Sequence, residues 1–136
     1  MGRLLAIDYG KVRTGLAVTD PLKIIATALD TVTTPQLLPY LKTYLLRESV
    51  DAFVLGLPVN LKSEDTATTA MVRTFGRTLE EAFPHIPVHF VDERFTSKMA
   101  LESMIAAGTK KKDRQKKGNT DKISAVIILQ SYMQSL

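Results

Sequence analysis

Apolar residues fall in short runs over the first third of the chain and at helical spacing over much of the rest. Three runs come first, at about 3–9, 13–19 and 24–32. Short turns at Gly10-Lys11 and Asp20-Pro21 separate them, so they should form an antiparallel meander. Leu37, Leu38, Leu41, Leu45 and Leu46 then recur with a helical period and predict a helix from Thr34 or Pro35 to about Ser49. Pro35 suits its first turn, and Pro39 is tolerated only near the start. Asp51-Ala52-Phe53-Val54-Leu55-Gly56-Leu57 is close to continuously apolar, which suits a central strand covered on both faces. A loop at 58–63 leads to a long helix, about Glu64 to Phe83, with Ala67, Ala70, Met71, Phe75, Leu79 and Ala82 facing inward. Pro87 to Val91 reads as a further strand. Thr96 should cap a helix that Gly108 ends near Ala107. The last helix is expected over about Asn119 to Gln134, with Ile123, Val126, Ile127 and Gln130 on one stripe.

The order β-β-β-α-β-α-β-α-α predicts an α/β fold: a five-stranded mixed sheet with helices on both faces. The 136 residues suit one domain, 1–136, and 45% hydrophobic content is enough for a core. There is no cysteine, which excludes disulfides, thiolate metal sites and cysteine nucleophiles. No apolar run approaches the roughly 20 residues that span a bilayer. Asp8 interrupts the first run, so a signal peptide is not expected and a cytoplasmic location is.

The net charge is +4, but its distribution says more. Between Gly108 and Gly118 lie Lys110, Lys111, Lys112, Arg114, Lys116 and Lys117 with a single acid, Asp113, while the remainder is close to neutral. Such a loop either solubilises the chain or contacts a phosphate backbone. It leads directly to Asp121, expected to open the last helix.

Two further acidic positions end apolar strands. Asp8 is followed at once by Tyr9-Gly10-Lys11-Val12-Arg13-Thr14-Gly15, and Asp92-Glu93-Arg94 closes the last strand. Carboxylates are the hard oxygen ligands that magnesium and manganese require. Asp8, Glu93 and Asp121 are the candidates for one catalytic, metal-binding site. Asp92 is a weaker fourth ligand, since neighbours on a strand point to opposite faces. Each has a plainer reading. Asp8 suits a turn, Glu93 can pair with Arg94, and an acid near a helix N-terminus is favoured by the dipole. Lys11, Arg13 and Arg94 could hold a nucleic-acid backbone or serve as ordinary surface charges.

His85 and His89 are separated by Pro87 and cannot form a helical ligand pair. No Gly-x-Ser-x-Gly elbow supports a hydrolase triad.

Ala6-Ile7-Asp8-Tyr9-Gly10 with Arg13-Thr14-Gly15, Gly56-Leu57-Pro58, Asp92-Glu93-Arg94-Phe95-Thr96 and the run Asp121 to Leu129 occur in the order and spacing of one family. On these motifs the chain resembles, over essentially its whole length, the YqgF/RuvX family of the ribonuclease H-like superfamily. That group is associated with Holliday-junction resolution and with precursor 16S rRNA processing. Ser63 and Ser124 depart from the family pattern without touching a carboxylate. The resemblance implies a metal-dependent nuclease, with Mg2+ or Mn2+ held by Asp8, Glu93 and Asp121. Its substrate would be the 5′ end of precursor 16S rRNA or, alternatively, a four-way DNA junction. Symmetric cutting of a junction needs a two-fold homodimer; RNA trimming does not.

Two other classes compete. Asp8-x-Gly10 followed by Gly15 is similar to the first phosphate loop of actin-like and sugar-kinase ATPases, but those clamp nucleotide between two domains. A non-catalytic RNA-binding module would use the basic loop, yet would gain nothing from clustered carboxylates.

Overall fold

The computed structural model describes residues 2–57, 67–92 and 117–134, with the side chains of 117–122 outside that description. Five strands, β1 (Arg3–Asp8), β2 (Arg13–Thr19), β3 (Ala26–Thr33), β4 (Val50–Leu57) and β5 (Val88–Asp92), form one mixed sheet in the order β3-β2-β1-β4-β5. The meander is antiparallel, with Asp8 opposite Gly15 and Gly15 opposite Thr31. β4 runs parallel to β1 and β5 parallel to β4. The expected five-stranded mixed sheet is therefore present, with β1 at its centre.

Strand alternation splits the core in two. Leu5, Ile7, Leu16, Phe53 and Leu55 face α1 (Leu37–Arg47) and α2 (Ala67–Ala82). Leu4, Ala6, Ala17, Ala52 and Val54 face α3 (Lys117–Gln134). Helices thus cover both faces, as the pattern predicts. The α3 face is built from small residues, so that helix lies close to the central strands.

Several boundaries differ from expectation for local reasons. β3 starts at Ala26 rather than residue 24 because Asp20 Oδ1 accepts the amides of Ile24 (2.7 Å) and Ile25 (2.9 Å), holding both in a loop. Lys23 in that loop has φ 58°, in the left-handed region. A 3-10 turn, Thr34–Gln36, precedes α1, which places Pro39 in the first turn where its missing donor is harmless. α1 stops at Arg47 because Glu48 is extended, and its buried stripe is Leu37, Leu41 and Tyr44. Leu46 is 88% exposed.

In α2 the inward residues are Thr69, Val72, Phe75, Gly76 and Leu79; Ala67, Ala70 and Ala82, expected inside, are exposed. α3 begins at Lys117, two residues early, so Lys117 belongs to the helix and not to a loop. Its buried residues are Ser124, Ala125, Ile127, Ile128 and Leu129, while Gln130, expected on the inner stripe, is exposed. The expected loop at 58–63 and the helix from Thr96 to Ala107 lie outside the described residues.

A candidate catalytic strand end

Asp8 is the last residue of the central strand. It lies two positions past Ala6, which packs toward α3, so alternation puts Asp8 on the α3 face. It is half-buried, at the edge where the sheet's parallel strands end.

The turn after it is braced by side-chain oxygens. Thr34 Oγ1 donates to the Gly10 carbonyl at 2.6 Å. Thr14 Oγ1, fully buried, lies 3.1 Å from Thr34 Oγ1 and accepts the Gly10 amide at 3.5 Å. Because the Thr34 hydrogen is committed to Gly10, the Thr14 hydroxyl is the donor in the pair. The Thr34 amide bonds the Val12 carbonyl at 2.9 Å, tying the turn to the end of β3. A Cβ at Gly10 would collide with the Arg13 carbonyl oxygen, so no other residue fits there without moving the turn. Lys11 on this turn is exposed and Arg13, opening β2, is half-buried.

Asp92 also ends a strand on this edge, opposite Leu57. Two strand spacings separate β5 from β1, about 10 Å. Val91 packs with the α3 cluster, so Asp92 points to the opposite face, toward α2. Glu93, Arg94, Lys110, Lys111, Lys112, Arg114 and Lys116 lie outside the described residues.

The course of α3 bears on Asp121. Met133 and Gln134 line a groove with Ile24, Ile25 and Ala26. Ala26 pairs with Thr19, whose hydroxyl accepts the Leu4 amide at 2.9 Å. The last turn of α3 therefore sits at the Leu4 end of the sheet, and its first turns point toward the Asp8 end. From 133 back to 121 the helix rises about 18 Å, and from Leu4 to Asp8 the strand rises about 13 Å. Position 121 thus reaches the level of Asp8. Position 121 is the fifth residue of α3 rather than its opening one.

Among the described residues, no three acidic or histidine side chains form a metal-binding group. Asp8 supplies a hard oxygen donor at an accessible strand end, and that donor chemistry fits a magnesium- or manganese-type ion rather than a soft metal.

A family model described as "RuvX: Holliday junction resolvase" matches residues 2–135. The chain belongs to the RuvX family. A Porphyromonas gingivalis protein named "Putative pre-16S rRNA nuclease" is 53% identical over 99% of this chain and 98% of its own length. A protein of the same name from Bacteroides thetaiotaomicron is 47% identical over the same shares. Among solved structures, T. thermophilus RuvC in complex with a Holliday junction substrate matches with TM-score 0.60 at 17% identity, covering 99% of this chain and 98% of that one. That likeness establishes a ribonuclease H-like fold for this RuvX-family member. The Thr14–Thr34 brace is a part of the site's surroundings that spacing alone did not single out, because its two hydroxyls are twenty residues apart. No described helix is long and apolar enough to cross a membrane.

Proposed function

We propose that this protein is a hydrolase of nucleic-acid phosphodiesters, acting on the 5′ end of precursor 16S rRNA in the cytoplasm through one domain spanning the chain. The reading is supported by Asp8, which ends the central strand, and by the course of α3, whose first turns run toward that end of the sheet, in a RuvX-family chain. The names of the relatives support the substrate.

In this reading Asp8, Glu93 and Asp121, with Asp92 more peripheral, would hold Mg2+ or Mn2+, in two-ion form. The bound cation would polarise the phosphate and lower the pKa of the attacking water. The chain's own residues do the positioning. The hydroxyls of Thr14 and Thr34 hold the turn at Gly10, two residues after Asp8, and so limit how far the strand end can shift. Lys11 and Arg13, one turn away, neutralise phosphate charge beside the cleaved bond. Arg94 would orient a phosphate by a bidentate contact. Lys110, Lys111, Lys112, Arg114, Lys116 and Lys117 would supply the salt-dependent share of affinity.

The family description favours a second substrate, a four-way DNA junction, for which a homodimer would be required. The test is cleavage of end-labelled precursor 16S RNA and of a four-way DNA junction, side by side. RNA cut at the mature 5′ end with the junction intact supports the first reading. Paired symmetric nicks in the junction with the RNA intact overturn it in favour of the second.

A further inference from the structure

On the α2 side of the same sheet edge lies an open groove of about 370 Å³, lined by Tyr9, Ala70, Met71, Thr74, Phe75 and Thr78, with Ala67 at its end. The lining is uncharged. Half-buried Tyr9 stacks on the buried Phe75 at 4.5 Å between centroids with 22° between planes, so the aromatic surface of the groove is that of Tyr9. Thr74 Oγ1 donates to the Ala70 carbonyl (3.0 Å) and Thr78 Oγ1 to the Thr74 carbonyl (3.2 Å); the Thr78 oxygen keeps its acceptor capacity, while that of Thr74 also accepts from Arg77. The rim is cationic. Arg77 Nη2 reaches Thr74 Oγ1 at 3.5 Å, and Arg73 is exposed one helical turn before it. Lys11 is exposed on the turn that follows Tyr9. The helix's acids, Glu80 and Glu81, follow Arg77 by three and four positions, within reach of its charge, and lie further from Arg73.

An apolar aromatic floor with polar walls and a positive rim is the chemistry that takes a nucleobase and its phosphate. A duplex cannot offer one, because its bases are stacked on each other. The groove starts one residue from Asp8, around the edge of the sheet. Resting on the nuclease reading above, we infer that this groove binds one unpaired nucleotide of the substrate strand, next to the phosphate held at Asp8. It would make the protein prefer a single-stranded flank beside the cleaved bond.

The probe is a short RNA duplex carrying a single-stranded tail, with a fluorescent adenine analogue in the tail, compared with the same duplex blunt-ended. Binding is measured in a chelator, so no turnover is needed. Ala70→Phe fills the groove from an exposed helix position and leaves the core intact. The wild-type protein should bind the tailed RNA more tightly and quench the analogue. Ala70→Phe should weaken tailed binding about tenfold, the loss of one base stack, and abolish quenching, with blunt binding unchanged. Arg77→Gln, a second exposed change, should weaken tailed binding and lower its salt slope by about one. Tailed affinity and quenching unchanged in Ala70→Phe would overturn the groove while leaving the nuclease reading intact. Equal losses on tailed and blunt RNA would overturn it too. Failure of the wild-type protein to bind either RNA would instead sink the nuclease reading on which the groove rests.

Discussion

Thr14→Val isolates the brace behind Asp8. Valine keeps the β-branched shape that suits β2 and removes only the hydroxyl. Two contacts go: the donation to Thr34 Oγ1 at 3.1 Å and acceptance of the Gly10 amide at 3.5 Å. Thr34 still donates to the Gly10 carbonyl at 2.6 Å, so its own donor keeps a partner. The cost is therefore one hydroxyl bond plus a partly buried amide left unmet. The amide contact is long, which puts the sum near the low end, about 1.5 kcal/mol. For a chain of this size that lowers Tm by roughly 5 °C. Urea unfolding should show a lower midpoint with an unchanged slope, since the exposed area on unfolding is the same. A double-mutant cycle with Thr34→Val should return a coupling of about 1 kcal/mol. Thr14→Ser should recover most of the loss. Strict additivity of Thr14→Val and Thr34→Val, or a midpoint equal to wild type, would refute the brace.

Other changes test other links. Gly10→Ala forces a Cβ onto the Arg13 carbonyl, so the turn must open; cleavage should fall at least tenfold in a kinetic assay, more than stability alone accounts for. Leu41→Ala empties a fully buried position in α1 and should cost about 2–5 kcal/mol in a urea melt, whereas Leu46→Ala on the same helix should stay within about 0.5 kcal/mol. The Ile25 amide, with those of Ile24 and Leu22, holds the Asp20 carboxyl below its ordinary 3.8. A lowered folded value stabilises fully above 3.8 and is lost as pH falls through it. Acid unfolding of Asp20→Asn should accordingly be shallower than wild type below about pH 4, read by circular dichroism.

The sheet was legible because its strands are short, apolar and separated by turn residues. β2 and β4 fall within a residue of the expected ends, and the parallel placement of β4 beside β1 follows from the helix between them. The helix faces were less legible. Residues 123–129 of α3 are apolar on several sides, so spacing could not choose among stripes, and close packing on Ala6 and Ala17 selects the one with Ala125 and Ile128. In α2 the alanines carry too little apolar area to decide, and Val72 and Gly76 sit inside instead. Ile24 and Ile25 looked like strand, yet a single carboxylate outcompetes the ladder for their amides. The place of Asp8 at a strand end was readable because it stops an apolar run before two glycines. The Thr14–Thr34 brace was not, since only the folded register brings β2 and the end of β3 together.

The central claim is that Asp8 acts as a charged ligand and not as a turn former. The most direct measurement is metal-dependent cleavage of precursor 16S RNA by wild type and Asp8→Asn, with magnesium or manganese and with a chelator. The account predicts cleavage by the wild type that the chelator abolishes, and a loss of at least a hundredfold in Asp8→Asn with its melting curve and RNA affinity near wild type. Equal cleavage by the two proteins, or cleavage indifferent to the chelator, would contradict it.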